Sequence, residues 1–112
     1  MLGIVTIGQT PRPDIDRACR PYAGGTAIRI VGALDGLTRE EVRLLENRDC
    51  LYPLLVRLTD GATAEVPLQS LVPRVTACAG DLAAAGARLV VIWCAGDFPD
   101  IPCPVPVLRP GR

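Results

Sequence analysis

The stretch Gly86-Ala87-Arg88-Leu89-Val90-Val91-Ile92-Trp93-Cys94-Ala95-Gly96-Asp97-Phe98-Pro99 decides the fold. It follows an apolar stripe at Leu68, Leu71, Val72, Val75, Cys78, Ala79 and Leu82. That i, i+3, i+4, i+7 spacing predicts a helix. Pro67 suits the start of this helix, where a missing N–H costs little. Gly86 suits its end, as the residue that adopts a left-handed conformation just past the last turn. Pro73 lies inside the stripe and predicts a kink or a break. Arg88 to Trp93 is a short, continuous apolar run, which reads as a buried strand. Cys94 then opens a glycine loop. Helix, glycine, buried strand and loop together form the building unit of an α/β domain.

The same grammar extends through the rest of the chain. Leu2 to Ile7 is apolar and β-branched and predicts a first buried strand ending at Gly8. Gly8-Gln9-Thr10-Pro11-Arg12-Pro13 is a polar loop, since two prolines exclude a central strand. Asp14 to Tyr22 places Ile15, Ala18, Cys19 and Tyr22 at helical spacing, and Gly24-Gly25 ends it. Ala27 to Leu34 predicts another strand. Thr38-Arg39-Glu40-Glu41 is a capping box before a short helix. Leu54 to Thr59, Asp60-Gly61 and Ala62 to Val66 predict a hairpin, because Asp-Gly suits a tight turn. The tail from Asp97 holds five prolines and one short strand near Val105 to Leu108. The expected fold is therefore α/β: one domain over residues 1–112, with a layered, mostly parallel sheet, helices on both faces and a local hairpin. Ligands in such sheets bind beyond the carboxyl ends of the strands. If the first and last long strands are neighbours, the loops at Gly8 and Cys94 line one crevice.

Composition excludes several function classes. Twelve basic and twelve acidic residues balance, and aromatics are few, so nothing points to nucleic acid or an anionic membrane. No apolar run approaches the roughly 20 residues that span a bilayer. The first residues lack a basic segment and a small-residue cleavage site, so a cytoplasmic location is expected. Five cysteines in that compartment are expected as thiols, and their spacing matches no zinc pattern. The chain has no histidine, which removes Ser-His and Cys-His catalysis and the commonest metal ligand. No cofactor is expected.

Among candidate site residues, Cys94 stands first. A cysteine at the end of a strand and the start of a glycine loop reads either as a working thiol or as a small buried apolar group. Gln9, Thr10 and Arg12 read either as an anion cradle or as a polar turn capping the next helix. Asp97 could meet a substrate ammonium, orient its loop or be solvated. Cys19 and Cys78 sit on helix stripes and read as core. Asp35-Gly36 and Asp60-Gly61 read as turns. Arg57 and Arg109 qualify as anion contacts only if they turn inward. No dinucleotide or phosphate-loop fingerprint occurs.

Four segments in order then add up to a pattern: Ile7-Gly8-Gln9-Thr10-Pro11-Arg12, Gly32-Ala33-Leu34-Asp35-Gly36-Leu37-Thr38, Tyr52-Pro53-Leu54 with Arg57-Leu58 and Asp60-Gly61, and Cys94-Ala95-Gly96-Asp97-Phe98-Pro99. Together they resemble the AroM family. That family is similar to the aspartate/glutamate and hydantoin racemase superfamily. The resemblance implies two α/β halves about a pseudo-two-fold axis, each giving one cysteine at a strand end, one removing an α-proton and the other returning it. It places Cys94 as the first-half thiol and this chain as the first half. The enzymatic reading takes a small carboxylate or amide ligand, with Gln9, Thr10 and Arg12 holding the anion, Ala95, Gly96 and Asp97 as further contacts, and a homodimer or complementary half to supply the second thiol. Ala95 stands where threonine is common, so one hydroxyl contact is not expected. The other reading is a non-catalytic half-domain that binds a small anion or its complement.

Overall fold

The computed structural model describes residues 1–47, 49–94 and 96–110. Four parallel strands form the main sheet in the order β2-β1-β5-β6: β1 is Leu2–Thr6, β2 Ile28–Gly32, β5 Leu89–Trp93 and β6 Val107–Leu108. The second sheet is the antiparallel hairpin of β3 (Pro53–Arg57) and β4 (Thr63–Pro67), turning through Asp60-Gly61. The helices are α1 (Pro13–Cys19), α2 (Arg39–Leu45) and α3 (Leu68–Ala84). The expected α/β architecture with a mostly parallel sheet is therefore present. Among the described residues, no helix is long and apolar enough to cross a membrane.

Side chains alternate along the strands, and the two faces of the sheet meet different partners. Val5, Val90 and Ile92 face α3 and join Leu71, Val75, Ala79 and Leu82 in the main core. Gly3 lies on this face where a Cβ would come within 2.9 Å of Leu82. Leu2, Ile4, Thr6, Val91 and Trp93 point the other way. On that side Ile4 is 1 % exposed, as is Ile15, the buried residue of the seven-residue α1. The hairpin extends the main core with Val56, Ala64 and Val66.

Local chemistry explains the helix ends. The Thr38 capping box closes both ways, with the Thr38 amide donating to Glu41 and the Glu41 amide donating to the Thr38 hydroxyl. At the end of α3, Gly86 has φ +105°. The Ala87 amide reaches the Leu82 carbonyl at 2.9 Å, and the Gly86 amide reaches Ala83 at 3.1 Å. These two bonds satisfy carbonyls the helix would otherwise orphan.

Two expectations are corrected. Of the kink or break expected at Pro73, the break is absent, since α3 runs through it. Pro73 and Gln69, whose carbonyl loses its partner, are both exposed, so water can take the bond. The expected helix to Tyr22 stops being α-helical at Cys19 and ends in a 3₁₀ turn, Arg20–Tyr22. Pro21 has no N–H to continue the ladder. Ala18 is exposed and Tyr22 is 90 % exposed, so that stripe is not a core face beyond Ile15.

Candidate functional site

β1 and β5 are neighbours in register, with Thr6 beside Trp93. The chain leaving β1 turns to α1 on one face of the sheet. The chain leaving β5 runs back over α3 on the other, where the Cys103 thiol meets the Ala79 carbonyl. Strands whose exits diverge in this way open a crevice between their carboxyl ends. A cleft of about 280 Å³ lies there. Thr6, Ile7, Gly8 and Arg12 form one wall, Trp93 and Cys94 the next, and Leu55, Arg57 and Thr63 of the hairpin close it. The loops after β1 and β5 thus converge, as the sequence required if these strands were adjacent.

Arg12 is held in place. Its Nε and Nη2 bond both carboxylate oxygens of Asp14, at 3.0 and 2.9 Å, and its Nη1 donates to the Thr6 hydroxyl at 3.2 Å. The bidentate fork fixes the guanidinium plane. The Asp14 carboxyl is held down at about 2, first by its hydrogen bonds from Arg12, while the Arg12 pKa is raised by the same pair. A depressed carboxylate adds stability above its unfolded value near 3.8 and loses it as pH falls through about 2. Asp14 is half-exposed, so the pair contributes no more than about 1 kcal/mol. Urea unfolding of the protein and of Asp14→Asn is expected to differ by that amount at pH 6 and to converge near pH 2.

Cys94 differs from the other thiols. Its Sγ accepts a hydrogen bond from the Gly96 amide at 3.2 Å. The Cys78 and Cys103 thiols instead donate to the carbonyls of Gly32 and Ala79. Burial, with help from Asp35 and Asp81, pushes Cys78 up to about 11, and burial likewise raises Cys19. Both are partly buried; Cys78 packs against the main core, as its stripe implied, whereas Cys19 is not among the residues packed there. Gly96 is buried between Leu54 and the Cys94 sulfur, where a Cβ would sit 3.2 to 3.3 Å from each.

The remaining expected site residues divide. The Gln9 amide group donates to the Leu34 and Leu37 carbonyls, both at 3.0 Å, and its oxygen accepts from the Thr59 amide and hydroxyl. Gln9 thus ties the β1 loop to the β2 turn and to the hairpin. Thr10 donates twice to Asp35, which also accepts from the Gly32 amide. Asp35 is therefore a loop tie as well as a turn residue. The Asp97 amide meets the Tyr52 hydroxyl at 3.3 Å, joining the Cys94 loop to the hairpin. Gln9, Thr10, Gly96 and Asp97 do not line the cleft beside Cys94 and Arg12. Ala95 lies outside the described residues. Arg109 turns inward to the Phe98 carbonyl and to Asp100 rather than to the cleft.

Thr6, Trp93, Leu55 and Thr63 were not singled out by the sequence. Thr6 carried one signal, a hydroxyl near the carboxyl end of a strand expected to be buried. The others required knowing where the hairpin docks. Among the described residues, no group of three or more Cys, Asp or Glu side chains is arranged to hold a metal ion.

Residues 2–112 match the family described as AroM protein. No curated protein and no solved structure matches the chain.

Proposed function

The chain belongs to the AroM family, and from that premise we propose that its cleft binds a small carboxylate or amide and that Cys94 acts there as an acid/base thiol. One observation carries this reading: Cys94, Arg12 and Thr6 line a single cleft at the strand carboxyl ends, with the Gly96 amide aimed at the Cys94 sulfur. As a thiolate, Cys94 would take a proton from the ligand's α-carbon. The electron pair left behind delocalises into the adjacent carbonyl group, where the guanidinium of Arg12 and the Thr6 hydroxyl offer hydrogen bonds. The Cys94 S–H then returns a proton to the carbon and the thiolate is restored. The Arg12–Asp14 fork and the Gln9 and Asp35 ties are positioning devices for this wall.

A single thiol returns the proton to the face it left. Inversion needs a second acid on the opposite face, which a second copy of the chain or a complementary domain would supply. Proton NMR in D₂O with a panel of amino acids and arylacetates tests the step. Loss of the α-proton signal is expected with the protein, and a fall of at least about 100-fold in Cys94→Ala. Equal exchange by the variant would sink the proposal.

The second reading is binding without chemistry. It is favoured by the outer sheet face, where short α1 leaves Trp93 39 % and Leu108 52 % exposed. Such a face suits association with another copy or a complementary domain. The same panel separates the readings, since this one expects ligand binding with no exchange.

A further inference from the structure

Arg57 ends β3 in register with Thr63, and Leu55 lies two residues back on the same face of the hairpin. This face is turned away from the core and forms a wall of the cleft. Arg12 and Arg57 are the cleft's two cationic lining residues. They are not equivalent. The charge of Arg12 is matched by Asp14 through a bidentate pair. Arg57 forms no ion pair among the described residues. Glu65, opposite Leu55 on the hairpin, is not bridged to it. Among the described residues, Arg57 is therefore the one guanidinium of the lining outside an ion pair. The rest of the lining includes the Cys94 thiol, the hydroxyls of Thr6 and Thr63 and the apolar surfaces of Ile7, Leu55 and Trp93. Its volume of about 280 Å³ is at the small end for ligand sites.

We infer that Arg57 is the principal anion contact of the cleft, and that the ligand is a small monoanion: a carboxylate carrying one apolar arm that lies between Leu55 and Trp93. This rests on the cleft being the ligand site proposed above, and it narrows the ligand to the carboxylate rather than the amide. Arg12 then supplies directed hydrogen bonds, and the unbridged guanidinium of Arg57 supplies the local positive charge that the carboxylate meets. A guanidinium at the open edge of the cleft is also screened by salt, so affinity falls with ionic strength.

Trp93 is the only tryptophan in the chain and lines the cleft, so its fluorescence reports occupancy. The test titrates the protein with phenylacetate, phenylacetamide and acetate. Phenylacetate is expected to quench saturably. Phenylacetamide, lacking the charge, and acetate, lacking the arm, are each expected to bind about tenfold more weakly or worse. Arg57→Gln is expected to lose about tenfold in phenylacetate affinity and most of its salt dependence, while Arg57→Lys retains part of both. Arg57 is exposed, and an unchanged urea midpoint in the variants would show that the fold is intact. Three results would each overturn the inference: equal affinity for phenylacetate and phenylacetamide, wild-type affinity in Arg57→Gln, or no saturable quenching by phenylacetate. Charge-dependent binding without α-proton exchange would support it while defeating the catalytic reading. Exchange indifferent to Arg57 and to ligand charge would do the reverse.

Discussion

Phe98→Ala is expected to destabilise the protein by about 3–5 kcal/mol, the usual cost of emptying a buried aromatic site. Phe98 is the only phenylalanine and is fully buried in the main core. Its backbone is engaged too: its amide donates to the Gly96 carbonyl at 3.0 Å and its carbonyl accepts from Arg109 at 2.9 Å. The ring therefore anchors the loop that carries Cys94. Domains of this size hold only about 5–15 kcal/mol of stability, so the loss is a large share of the whole. Urea unfolding should show a much lower midpoint with little change in slope. Phe98→Leu, which keeps most of the volume, should cost about 1.5 kcal/mol or less. A cost below about 1 kcal/mol for the alanine variant would show that the ring does not anchor this loop.

Gly8→Ala is expected to cost about 3 kcal/mol, for the opposite reason. At Gly8 the hairpin backbone comes so close that an added Cβ would overlap the Arg57 carbonyl oxygen and sit 2.9 Å from the Arg57 nitrogen. Backbone cannot swing aside as a flexible side chain can. The added methyl must push the hairpin off the β1 loop. That movement strains the bond from the Gln9 amide to the Arg57 carbonyl, 2.9 Å long, and the Gln9–Thr59 bonds beside it. The cleft would lose the wall that carries Leu55 and Arg57. Amide hydrogen exchange should accelerate at Gln9 and Thr59, alongside a lower urea midpoint. Gly80→Ala makes a matched comparison, because a Cβ there meets nothing within 4 Å inside α3. That change should stabilise by about 0.5–1 kcal/mol through helix propensity alone. Equal behaviour of the two variants would show that close approach at Gly8 does not constrain the fold.

Gly8 and Phe98 show why the site was only half legible. The sequence placed Gly8 at a strand end and Phe98 in a proline-rich tail, but neither position announces its neighbour. Gly8 is constrained by a residue about 50 positions away, and Phe98 is buried in the core that α3 and the hairpin share. Gln9 gives the same lesson. Beside Arg12 in the sequence it reads as part of an anion cradle. In the structure its hydrogen-bonding groups are spent on Leu34, Leu37 and Thr59. Such long-range partners leave no local periodicity to read.

What the sequence determined by itself is the set of elements and their order. Short apolar runs became β1, β2 and β5. The Leu68-to-Leu82 stripe became α3, Gly86 its end, Thr38 and Glu41 a capping box, and Asp60-Gly61 a hairpin turn. These depend on propensity and spacing within a few residues, which the chain states directly. The tertiary structure alone decided that β1 and β5 lie side by side and that the hairpin docks across their ends. It also decided that Arg57, rather than Gln9, Thr10 or Asp97, shares a cleft with Cys94 and Arg12. Strand order and hairpin docking follow from burying both sheets in one core, a balance over the whole molecule that no local stretch encodes.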